Sequence, residues 1–75
     1  MPAGDVETVS IDGMWTNLME GLAPDELDWF ETKAKAQEAG RDIAKALGVE
    51  HIIKNADGTI AERSSYGHDP RDVSG

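Results

Sequence analysis

Ser64, Ser65, His68 and Asp69 gather the side-chain types of a hydrolytic triad into one short segment. A triad needs its base and orienting carboxylate held on a rigid scaffold beside an oxyanion hole. Here the serines close a strand and Asp69-Pro70 sets an extended turn, so no catalytic residue is expected. His51 and His68, with acids nearby, are the only imidazoles. Without cysteine or a His-x-x-x-His spacing they predict no metal site. His51 falls mid-strand and reads as a partly buried or face-exposed histidine. Asp12-Gly13 and Asp57-Gly58 lack the adjacent lysine and following helix of a phosphate loop, so no cofactor is expected either.

Charge is the stronger chemical signal. The 75 residues carry a net charge of −8, with a pI near 4.4. Residues 1–31 hold Asp5, Glu7, Asp12, Glu20, Asp25, Glu26, Asp28 and Glu31 and no lysine or arginine. The remainder has seven acids and all seven bases. Direct binding to nucleic-acid phosphates or to an anionic membrane is disfavoured by that balance. An acidic surface keeps a small protein soluble, and it also suits a basic partner, including one that normally grips nucleic acid. Glu20, Asp25, Glu26, Asp28 and Glu31 are the candidate partner-binding residues.

Trp15, Trp29, Phe30 and Tyr66 could stack on bases, but aromatics in so small a domain serve the core more often, and no positive groove accompanies them. Lys33, Lys35, Arg41 and Lys45 could give one helix a weak basic face.

The elements that must position these residues follow from periodicity. Val6, Val9 and Ile11 mark a first strand, with Glu7, Val9 and Ile11 on one face. Asp12-Gly13 is a two-residue hairpin signal, since both central positions of a type I′ turn take positive φ. Met14 to Met19 returns, with Met14, Thr16 and Leu18 facing one way and Trp15, Asn17 and Met19 the other. Gly21 breaks that strand. From Leu22 to Glu31 the pattern fits a short strand or a single turn opened by Pro24, with Leu27, Trp29 and Phe30 covering the core.

Thr32 caps a helix over 33–47 whose inward stripe is Ala36, Ala39, Gly40, Ile43 and Leu47, and Gly48 ends it in the left-handed conformation. Gly40 on that stripe implies close approach of the sheet. A closing hairpin then flanks Asn55-Ala56-Asp57-Gly58, with Gly58 left-handed after a type I turn. Ile52 and Ile53 point to opposite faces, so one needs a cover other than the helix. Gly13, Thr32, Gly48, Asp57 and Gly58 are therefore the structural turns and caps.

The order of these marks resembles a known family. Gly13-x-Trp15, Thr32-Lys33, Arg41-Asp42-Ile43-Ala44, Asn55-x-Asp57-Gly58-x-Ile60 and Tyr66-Gly67-x-Asp69-Pro70-Arg71 are together similar to the small prokaryotic domain-of-unknown-function family numbered 2188. The likeness spans about Ser10 to Arg71, and the chain differs from the pattern in its acidic 22–30 connection. The resemblance implies a β-β-α-β-β domain and transfers no catalytic residue.

The resulting expectation is an α+β fold, one helix on an antiparallel sheet. Its single domain covers residues 5–66, with irregular tails at 1–4 and 67–75. A chain this short has a marginal core, and with no cysteine to staple it a homodimer or stable hetero-complex is expected. The function expected is a non-enzymatic interaction module, a small acidic regulator or inhibitor of a basic protein. The alternative is a nucleic-acid-binding accessory domain using the lysine- and arginine-bearing helix face. Neither a signal peptide nor a membrane span is legible, which points to the cytoplasm.

Overall fold

The computed structural model describes residues 4–66. The order is β1 (Val6–Ile11), β2 (Met14–Leu18), a 3₁₀ turn (Pro24–Glu26), β3 (Trp29–Phe30), α1 (Lys33–Leu47), β4 (Glu50–Lys54) and β5 (Ile60–Ser65). The class is α+β, with one helix packed on one sheet. Of the expected tails, all but Gly4 lie outside the described residues.

The sheet corrects the expectation of four antiparallel strands. It has five, ordered β3-β2-β1-β4-β5. β1 and β4 run parallel, pairing Val6 with His51, Glu7 with Ile52 and Thr8 with Ile53. The cause is β3. The 22–31 segment holds both of the alternatives expected for it, a turn and a strand. Each element reverses the chain, so an extra two-residue strand before the helix changes the parity, and β4 re-enters in the direction of β1.

Turn chemistry fixes the ends. Asp12 and Gly13 have φ of 52° and 83°, the two positive values that a type I′ turn requires. Thr32 accepts from the Lys35 N–H at 3.2 Å, and Gly48, at φ 70°, ends the helix. At the second hairpin the Gly58 N–H donates to the Asn55 carbonyl at 2.9 Å. Gly58 has φ 92°, and the register slips at Ile53/Lys54.

Alternation along the strands sends Val6, Thr8, Asn17, His51 and Ile53 toward the helix. The helix meets them with Ala36, Gly40 and Ala44, a small-residue stripe spaced by four. This stripe is rotated from the expected one: Leu47 is exposed and Ala44 is buried. The apolar cluster is small, Val6, Ala44 and Val49, with Met19, Ile43 and Tyr66 packed around it. None of the four aromatics expected in the core is fully buried, and Trp29 is 45% exposed.

Candidate functional site

The centre beneath the helix is polar. Thr8 Oγ1 donates to Asn17 Oδ1 at 2.5 Å, and Asn17 Nδ2 donates to the Ala36 carbonyl at 2.9 Å. His51 Nε2 lies 2.8 Å from Thr8 Oγ1. A hydroxyl has one proton, and Thr8 spends it on Asn17, so His51 must be the donor and carry its proton on Nε2. The bonds therefore run in one direction, β4 to β1 to β2 to α1. His51 is only 1% exposed, which corrects the partly buried or face-exposed placement read from sequence. Burial pushes its pKa below the ordinary 6.5, with Glu62 opposing and Arg41 adding a smaller push the same way.

Gly40 caps this cluster. A β-carbon there would run into Asn17 Oδ1 and stand 2.8 Å from His51 Nε2 and 2.9 Å from Thr8 Oγ1. Glycine lets the helix approach the sheet closely enough for Asn17 to reach the Ala36 carbonyl.

Two hollows flank the helix. On the β5 side, a groove of about 400 Å³ lies between α1 and the strands β4 and β5. Its polar walls include Glu38 and Arg41 from the helix, His51 from β4, Glu62 and Ser64 from β5, and Tyr66. On the β3 side, a cleft of about 130 Å³ has Met19, Leu22, Phe30 and Ile43 among its apolar lining and Glu26 and Asp28 at its margin.

The five candidate acids all face solvent. Glu26 and Asp28 reach the cleft, whereas Glu20, Asp25 and Glu31 do not line it. Glu26 also has a local task, since its carboxylate accepts the Ala23 N–H at 2.8 Å. Asp28 contributes its carbonyl to the Thr16 hydroxyl at 2.6 Å, which leaves its carboxylate free of that duty. Among residues 4–31, Glu7 is the acid found in an ion pair, 3.4 Å from Lys54.

The helix cations are partly committed. Lys33 Nζ sits 5.7 Å from the Trp15 ring centre and donates to Asn55 Oδ1 at 3.2 Å. Lys45 Nζ sits 5.8 Å from that of Tyr66. Of the triad-type residues, Ser64 faces the groove as the cross-strand partner of His51. Ser65 belongs to the other face, and His68 and Asp69 lie outside the described residues. Among the described residues no three His, Asp or Glu side chains are grouped as metal ligands. None of their helices is long and apolar enough to cross a membrane.

Sequence reasoning missed the Thr8-Asn17-His51 cluster. The available signal was polar residues at Thr8, Asn17 and His51 on the strand faces opposite Gly40, the one glycine in the helix.

A small mixed sheet under one helix, with a buried polar centre, defines an α+β domain. Residues 7–66 match DUF2188, a family of uncharacterized proteins conserved in bacteria, and the chain belongs to it. No curated protein and no solved structure matches.

Proposed function

We propose that this protein is a non-enzymatic interaction module, a small acidic regulator or inhibitor that binds a basic protein through its 20–31 surface. One observation carries the reading: an apolar cleft margined by Glu26 and Asp28, in a half of the chain with no lysine or arginine. A lysine or arginine side chain has an apolar stem and a charged head, and such a cleft suits both parts. Glu20, Asp25 and Glu31, exposed in the same stretch, add the long-range field that speeds association. The alternative, nucleic-acid binding by the helix, is weakened because Lys33 and Lys45 already lie against aromatic rings.

The test reverses Glu20, Asp25, Asp28 and Glu31 to lysine, leaving Glu26 to hold the 3₁₀ turn. The basic protein captured from host lysate by the wild type is expected to be lost by this variant, and its capture to fall with added salt. Circular dichroism should show the fold intact. A folded, soluble variant that still captures the same protein would leave the acids a solubility role only. Titration with DNA and RNA at low salt separates the helix-face reading, which requires binding there.

A further inference from the structure

The β5 side of the helix supports a second inference, independent of the acidic 20–31 surface. β5 is the last strand of the sheet, so among the described residues one edge of Ile60–Ser65 has no neighbour. Six extended residues offer roughly 20 Å of backbone donors and acceptors. The helix lies over the strands further in, and the groove of about 400 Å³ separates it from β5. That groove is room for the inward side chains of an added strand.

We propose that the β5 edge binds an extended peptide, antiparallel to β5, whose alternate side chains enter the groove as an acid followed two residues later by a base. The order comes from the walls. Counted from β3, successive elements reverse direction, so α1 and β5 run the same way. Glu38 therefore accompanies Glu62, and Arg41 accompanies Ser64, further along. An antiparallel strand places a residue opposite Glu62 and, two residues earlier, one opposite Ser64, both on the helix side. The first position meets the Glu38 and Glu62 carboxylates and takes lysine or arginine. The second meets Arg41 and takes aspartate or glutamate. Among the described residues these three charges form no ion pair with one another, so none must be broken.

A second copy of this chain fits the edge poorly. A two-fold antiparallel pairing of β5 centred on the strand sets Glu62 against Glu62 or Arg63 against Arg63, and like charges directly opposite are unfavourable.

Two capped peptides of equal composition and net charge test the proposal: acetyl-Thr-Glu-Val-Lys-Val-Thr-amide and acetyl-Thr-Lys-Val-Glu-Val-Thr-amide. The first is expected to shift the backbone amide resonances of residues 60–65 and 37–41 in the full chain. It should bind about ten-fold more tightly than the second, a difference of ~1.4 kcal/mol. Glu62→Lys, at an exposed position, should remove that preference while leaving the remaining resonances in place. Equal binding of the two peptides, or shifts confined to residues 20–31, would overturn the proposal. So would concentration-dependent shifts at 60–65 without peptide that persist after Ile11→Asp with Ile60→Asp, since a second copy would then hold the edge rather than the far face.

Discussion

The His51 imidazole donates from Nε2 to the Thr8 hydroxyl at 2.8 Å, joining the two parallel strands at the middle of the sheet. Thr8 in turn carries the hydrogen-bonded path from His51 to Asn17 and, through Asn17, to the helix. The domain thus has a polar keystone where a larger protein would place aliphatic side chains. Small size explains part of this, because a short chain gathers few apolar residues. The hydrogen bonds add direction, fixing both the strand order and the helix height.

Removing the Thr8 hydroxyl should therefore cost more than one hydrogen bond. Thr8→Val keeps the shape but strands the His51 N–H and the Asn17 carboxamide oxygen in a buried site. Unsatisfied buried groups cost ~1–3 kcal/mol each. Urea unfolding is expected to show a loss of at least that size, whereas Thr59→Val at the exposed second turn should lose much less.

Stability should also fall as the solution is acidified. The folded pKa of His51 lies below its ordinary 6.5, chiefly through burial. The unfolded chain then binds a proton that the folded chain resists, so stability rises with pH across that interval. The His51 contribution is complete above the unfolded value, about 6.5. It is lost as the pH drops from there toward the lowered folded value. A urea midpoint that stays constant from pH 7.5 to 5 would contradict this assignment.

Gly40→Ala sets two effects against each other. Alanine gains ~1 kcal/mol of helix propensity over glycine. Its methyl group meets Asn17 Oδ1 and comes within 2.8 Å of His51 Nε2, and overpacking of this kind costs ~1–3 kcal/mol. Neither neighbour can retreat without breaking its own bond, so net destabilisation is expected. For a domain this small each 1 kcal/mol lowers Tm by roughly 4–8 °C.

How far the sequence carries can be seen at particular residues. Local signals located Thr32, Gly48, Asp12-Gly13 and Gly58, because each acts through its own backbone. The direction of β4 was not legible. It depends on Trp29 and Phe30 counting as a strand, and two residues give no periodicity. The helix stripe was placed one step off for a related reason: Leu47 is apolar but lies past the sheet, whereas Ala44 contacts Val6 and Val49. The polar cluster was invisible, since Thr8 and His51 are 43 residues apart. For the candidate acids, exposure was foreseeable from charge, but the apolar cleft beside Glu26 and Asp28 depends on tertiary packing.

Gly58→Val isolates backbone strain. The glycine has φ 92° and nothing lies within 4 Å of where a β-carbon would stand, so no collision contributes. A β-branched residue forced to positive φ costs ~1–3 kcal/mol. Gly58→Asn, which tolerates positive φ better, should lose less than Gly58→Val. A melting temperature unchanged by valine would mean that the hairpin rearranges around the substitution.

The face of the sheet turned away from the helix is only partly sheltered. Ile52 lies there and is only 6% exposed, although no helix among the described residues covers it. Its register neighbours are Glu7 and Arg63, each of which pairs with a charge on β4: Lys54 with Glu7 at 3.4 Å and Glu50 with Arg63 at 3.9 Å. The aliphatic stems of these pairs shelter the isoleucine. The shelter does not reach Ile11, Trp29 or Ile60, which remain exposed on the same face. We expect two copies to associate there and bury those three side chains. With a net charge of −8 per chain, the copies repel at low ionic strength. Self-association should therefore strengthen as salt rises, opposite to the capture of a basic partner, which salt weakens. Sedimentation equilibrium at tens of micromolar, in low and high salt, separates the two behaviours. Ile11→Asp with Ile60→Asp should return the assembly to 8.1 kDa. A wild-type chain that stays at that mass at every concentration and salt level would rule out the dimer.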